Sequence, residues 1–93
     1  MTALNESELL ELLHAQPQWK LYDGKLVREW TFQDFVQAMA FVNRVAELAE
    51  QAGHHPDIDI RYNRVTLGLV THDAGGITQR DAEMAAAISQ MFL

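Results

Sequence analysis

The sequence predicts an α+β domain with element order α-β-β-α-β-β-α, in which a four-stranded antiparallel sheet carries three helices on one face. Three stretches with apolar residues at helical spacing supply the helices, and two pairs of β-prone stretches lie between them, each pair broken by a turn signal. A helix with a single apolar stripe must bury it, and the sheet is the surface on which all three can do so. The opposite sheet face is then left to solvent, a ligand or another subunit. With 93 residues and no repeat, low-complexity tract or Pro/Gly/Ser-rich linker, the chain reads as one domain over residues 1–93.

The first helix is expected over residues 7–15, with Leu9, Leu10, Leu12 and Leu13 as its apolar face, Asn5 or Ser7 as N-cap and Pro17 beyond its end. QWKLYDGKLVREW follows. Its Asp23-Gly24 pair tolerates positive φ between alternating β-prone residues, which predicts a hairpin with strands at 18–23 and 25–30. The second helix opens with Thr31 and Asp34 spaced as a capping box, continues through Phe32, Phe35, Val36, Met39, Val42, Val45, Ala46 and Ala49, and stops at Gly53. A second strand pair is expected at 58–62 and 64–72, joined around Asn63, with Val65, Leu67 and Leu69 on one face and Thr66, Gly68, Val70 and His72 on the other. The third helix opens with Thr78 as cap and Asp81 three residues on, and runs through Ala82, Ala85, Ile88, Met91 and Phe92.

Composition narrows the function classes. An apolar fraction of 48% with two Trp, two Tyr and four Phe is that of an ordinary globular protein. The absence of cysteine removes disulfides, thiolate metal ligands and a cysteine nucleophile. A formal charge of −6 opposes binding to a phosphate backbone, so no nucleic-acid partner is expected. MTALNESELL has no basic leader region and no apolar run approaches the roughly 18 residues of a membrane span, which predicts a cytoplasmic protein without a membrane partner.

The chemistry-bearing residues are Glu50, His54, His55, His72 and Asp81. His54 and His55 follow the second helix in GHHPDID, His72 closes the long strand, and Asp81 lies in the first turn of the third helix; in this order a strand end and two helix ends can meet at one rim. Each residue also has a plainer reading. Histidines just past a helix C-terminus can simply favour the helix dipole, a strand-end histidine and a last-turn Glu50 can simply be solvated, and a carboxylate at Asp81 can simply cap its helix. Together the set suits acid–base chemistry, because imidazole titrates near neutrality and can donate one proton while a neighbour accepts another. Three histidines and an aspartate would also suit zinc. Against that, adjacent residues in extended backbone point opposite ways, and no HExxH or His-x-His spacing is present. No serine elbow supports nucleophilic catalysis. His14 has no ionisable neighbours in sequence beyond its own short helix.

Glu50, then His54-His55-Pro56, Tyr62, His72 within VTHD, and Thr78-x-x-Asp81 resemble the signature of the pterin-4a-carbinolamine dehydratases, and the similarity extends through WKLYDGKLVREWTFQDF and FVNRVAELAE over nearly the whole chain. The resemblance implies a four-stranded antiparallel sheet with three helices on one face, a homodimer or homotetramer, and no metal or bound cofactor. It implies a hydro-lyase reaction, dehydration of a 4a-hydroxytetrahydropterin to the quinonoid dihydropterin, which recycles the cofactor of aromatic amino acid hydroxylases. By the same resemblance His54 and His72 are the proton-transfer pair, His55 binds and orients the substrate, and Glu50 and Asp81 orient imidazoles or bind the polar pterin edge. Members often carry an aromatic residue shortly after His-His-Pro, where this chain has Ile58; the departure bears on affinity and on the preferred pterin side chain. Tyr62 is expected to pack. The resemblance also admits a different class, a protein-binding or dimerisation module of the transcriptional coactivator kind, with the second helix's apolar stripe as its surface. A metal-dependent enzyme is the third reading.

Overall fold

The computed structural model describes residues 1–91, so Phe92, expected on the third helix, lies outside the described residues. The elements are α1 (Glu6–Ala15), β1 (Lys20–Tyr22), β2 (Lys25–Thr31), α2 (Phe35–Ala52), β3 (Asp57–Arg61), β4 (Arg64–Leu69), a 3₁₀ turn (His72–Ala74) and α3 (Gln79–Gln90). The strands form one antiparallel sheet in the order β1-β2-β4-β3, and the α+β order expected from the sequence is the order found.

Period-two alternation decides which sheet face is covered. In register, Leu26 faces Leu69, Arg28 faces Leu67 and Trp30 faces Val65, so these side chains share one face. On that face Leu26, Val65, Leu67 and Leu69 are fully buried, packed with Leu12 of α1, Ala38, Phe41, Val42 and Val45 of α2, and Met84, Ala85 and Ile88 of α3. Trp19, also buried, meets Trp30 edge-on with centroids 5.7 Å apart, and Trp30 lies 4.8 Å from Phe41. The opposite face carries Lys25, Glu29, Asp57, Asp59, Arg61 and Thr66, with Lys25 Nζ donating to Asp57 Oδ2 at 2.7 Å.

Several boundaries differ from the sequence expectation, each for a local reason. Asn5 caps α1 through a full capping box: its side chain accepts the Glu8 N–H, and Glu8 Oε1 accepts the Asn5 N–H. Leu12 is the buried leucine of that helix, Leu9 and Leu13 pack partly, and Leu10 faces solvent. Thr31 does not cap α2. It is the last rung of β2, paired with Arg64, and Asp34 is the cap, its Oδ1 accepting Gln37 N–H at 2.9 Å. The helix starts at Phe35, and its buried stripe is Ala38, Phe41, Val42, Val45 and Ala49, while Phe35, Val36 and Ala46 are exposed. The Asp23-Gly24 hairpin forms as expected, with φ of 51° and 75°. Tyr62 does not pack: it occupies the β3–β4 turn at φ 54° and is 66% exposed.

The largest shift affects the site. β4 stops at Leu69, not at residue 72, because Thr71 leaves the ladder to bridge Gly76, its N–H donating to Gly76 O at 3.0 Å. His72 therefore opens a 3₁₀ turn, closed at Gly75 in the left-handed region with φ 70°.

Candidate active site

The site is made where α2 ends. Gly53 adopts φ 63°, a conformation that costs a side-chain-bearing residue about 1 kcal/mol or more, and its N–H reaches back to Ala49 O and Glu50 O. The chain leaves the helix at once, with His54 N–H still donating to Ala49 O at 3.2 Å. Pro56 keeps His55 out of helical backbone, and the two neighbouring rings diverge. His54 turns inward and is 8% exposed; His55 turns outward.

Each ring finds its own carboxylate. His54 Nε2 lies 2.5 Å from Asp81 Oδ1, and His55 Nε2 lies 2.5 Å from Glu50 Oε2. The two pairs differ in setting. Asp81 is fully buried, whereas the His55 and Glu50 side chains are 61% and 77% exposed, where water screens the attraction and holding two long side chains costs entropy. Only the His54–Asp81 contact can be counted on to fix a ring.

Asp81 answers the capping and functional readings with different oxygens. Oδ2 accepts Thr78 N–H at 2.9 Å, completing the capping box of α3, and accepts the Thr71 hydroxyl at 2.8 Å. Oδ1 is left for His54. A carboxylate only accepts, so His54 must donate through Nε2–H, which makes Nδ1 the ring's free lone pair. Thr71 Oγ1 in turn lies 2.7 Å from Thr78 Oγ1; with the Thr71 proton committed to Asp81, the Thr78 hydroxyl donates to Thr71 and accepts Arg80 N–H at 3.2 Å. His54, Thr71, Thr78 and Asp81 are all buried, so a chain of hydrogen bonds satisfies polar groups that would each be costly alone.

An open cleft of about 250 Å³ lies over these residues, lined by His54, His55, Thr71, His72, Asp73 and Arg80. The structure thus brings the three predicted histidines to one cleft, with Asp81 behind His54 and Glu50 beside His55. His72, on the 3₁₀ turn, is exposed, and its ring makes no hydrogen bond to another described residue. Arg80 crosses the rim, donating through Nη2 to Gly53 O at 2.8 Å. Thr71, inside VTHD, and Arg80 are not singled out by the sequence. A buried threonine beside His72 carries no spacing signal of its own, and Arg80 was hidden inside the cap motif. Ile58 does not line the cleft; it sits on β3 opposite Leu67. A larger hollow of about 390 Å³ between α1 and α3 holds Glu8, Glu11 and Glu83 but no histidine, so it lacks a group that titrates near neutrality. Among the described residues no group of three or more His, Asp or Glu is arranged to hold a metal ion, and no helix is long and apolar enough to cross a membrane.

Comparison with known proteins places the chain. A relative from Acidobacterium capsulatum, provisionally named a pterin-4-alpha-carbinolamine dehydratase, is 58% identical over 91 residues, covering 98% of this chain and 99% of its own length. One of the same provisional name from Chloroflexus aurantiacus is 54% identical, covering 98% of each. The crystal structure of a Brucella melitensis protein described as a transcriptional coactivator/pterin dehydratase superposes with a TM-score of 0.91 at 37% identity, over 97% of this chain and 98% of that one. A pterin dehydratase-like protein identified as a RuBisCO assembly factor in the α-carboxysome shares the fold, with a TM-score of 0.63 at 23% identity over 78% of this chain and 84% of that one. The model of the pterin 4 alpha carbinolamine dehydratase family matches residues 2–91, and with these relatives it shows that the chain belongs to that family.

Proposed function

We propose that the protein is a dehydratase that converts a 4a-hydroxytetrahydropterin to the quinonoid dihydropterin and water. The observation that carries the reading is a buried His54–Asp81 pair opening on a cleft shared with two further histidines. Nδ1 of His54, the lone pair left free by Asp81, takes the proton from the ring nitrogen next to C4a. His72, unpaired and solvent-facing, gives a proton to the 4a-hydroxyl. The C4a–O bond breaks, water leaves, and the nitrogen's electron pair closes the C=N bond, so protons and electrons balance without a redox partner. His55, beside Glu50, binds and orients the substrate near its hydroxyl. Such general acid–base groups each contribute about 10²–10⁴ in rate. The product is the form from which a reductase restores the cofactor of an aromatic amino acid hydroxylase.

The test supplies enzymatically generated 4a-hydroxytetrahydropterin and follows its dehydration in buffer and with the folded protein. Acceleration by wild type, reduced about tenfold or more in His72→Ala, is expected; a wild-type rate equal to buffer ends the enzyme reading. A protein-binding module is the second reading, favoured by Phe35 and Val36, apolar and 48% and 75% exposed at the start of α2, and that outcome would promote it.

The reading includes a homodimer or homotetramer in the cytoplasm. Support comes from β3, an edge strand whose Ile58 and Ile60 are 38% and 36% exposed, an arrangement that invites pairing unless covered. Light scattering is expected to return two or four times the 10.6 kDa chain mass; a monomer at micromolar concentration would refute the oligomer.

A further inference from the structure

We infer that Thr71 is a positioning residue of the acid–base site, and that its hydroxyl, by fixing the plane of the Asp81 carboxylate, keeps Oδ1 against His54 Nε2 and with it the Nε2–H tautomer. The inference deepens the dehydratase reading and rests on it for its kinetic part alone.

Three observations carry it. The Thr71 hydroxyl is buried and donates to Asp81 Oδ2 at 2.8 Å, on the oxygen that does not touch His54. A carboxylate turns about its last torsion with little resistance, so a single backbone donor on Oδ2 leaves the plane loosely set, whereas two donors, Thr78 N–H and Thr71 Oγ1–H, fix it. With the plane fixed, Oδ1 meets His54 Nε2, and the Nε2–H tautomer is the one compatible with that contact.

The third observation concerns the backbone. Thr71 immediately precedes His72 and is tied on both sides of the 3₁₀ turn, donating to Gly76 O at 3.0 Å and accepting Ala74 N–H at 3.1 Å. One residue therefore grips Asp81, which orients the proposed base, and anchors the turn that carries the proposed acid. Thr71 itself need not touch substrate for this. The link is geometric, from the end of β4 to the first turn of α3.

The test compares Thr71→Val, which keeps the shape and removes the hydroxyl, with Thr71→Ser, which keeps the hydroxyl and removes the methyl. Outer partners of this kind typically change activity by about 10- to 100-fold. Thr71→Val is expected to lower kcat by that amount with KM within about twofold of wild type, and Thr71→Ser to recover most of it. Nitrogen-15 NMR of the His54 ring in the substrate-free protein is expected to show the Nε2–H form in wild type and Thr71→Ser, and a mixture in Thr71→Val. An unchanged His54 pattern in Thr71→Val overturns the inference, and so does equal loss of kcat in the serine and valine variants. If Thr71→Val does not fold, Thr71→Ala removes the hydroxyl together with the methyl, and its comparison with Thr71→Ser, which lacks the methyl alone, isolates the hydroxyl and is read the same way. The NMR arm needs no turnover, so a wild type inactive towards pterins would refute the dehydratase while leaving the tautomer assignment decided.

Discussion

Asp81→Asn is expected to lower kcat by about 10²–10³ while the protein stays folded. The magnitude lies between the 10- to 100-fold effect usual for an outer partner and the roughly 10⁴ seen where an amide forces a catalytic histidine into the wrong tautomer. Asparagine is the same shape, and its carbonyl oxygen can still accept Thr78 N–H and the Thr71 hydroxyl, so the cap of α3 survives. Its NH₂ then faces His54 Nε2, where the carboxylate had accepted a proton. Two donors cannot share that contact, so the ring must move its proton to Nδ1 and lose the lone pair assigned to the base. Stability should fall by only about 1 kcal/mol, from weaker bonds to a neutral acceptor. Asp81→Ala is the contrast: it strands donors from Thr71, Thr78 and His54 in a buried site and should cost about 3 kcal/mol or more, read as a drop in thermal midpoint. Wild-type kcat in a folded Asp81→Asn protein would break the link between this carboxylate and catalysis.

The parts of this arrangement legible in the sequence were those set by local rules. Thr78-x-x-Asp81 fixed the start of α3, Asp23-Gly24 fixed a hairpin, and Gly53 fixed the end of α2, because caps and positive-φ turns are decided by a few adjacent residues. Tertiary competition explains the misses. Thr31 carries a capping side chain, yet β2 claims it for a ladder pair with Arg64, so Asp34 caps instead; separately, the sheet receives α2 on the face of Ala38, Phe41, Val42, Val45 and Ala49, which leaves Phe35 and Val36 exposed. The apparent strand through His72 ends early because Thr71 pairs with Gly76, a choice that depends on Gly75 turning the chain back, which period-two alternation does not reveal. The same local turn conceals the role of Thr71: its hydroxyl partner is ten residues away, and neither composition nor spacing marks it. Asp81 was readable as a cap and as a site residue, and the two readings proved compatible only once its oxygens were seen to have separate partners.

His54→Ala is expected to produce the largest single loss of activity, about 10²–10⁴ in kcat, because it removes the proposed base itself rather than its orientation. His55→Ala should act differently. Its ring is exposed and paired with an exposed Glu50, and in its proposed role of binding substrate its loss should raise KM several-fold with a smaller change in kcat. If the two histidines exchange parts, the kinetic patterns exchange with them, and a His55→Ala protein that loses kcat while His54→Ala loses only affinity would reverse the assignment. The double variant His54→Ala/Asp81→Asn separates a shared pathway from two independent ones. Acting through His54, Asp81 has nothing left to orient once the imidazole is gone, so the double variant should be within about threefold of His54→Ala alone. Independent contributions would instead multiply, placing the double variant a further 10²–10³ lower, and that result would mean Asp81 serves the reaction by a route other than the 2.5 Å contact with His54.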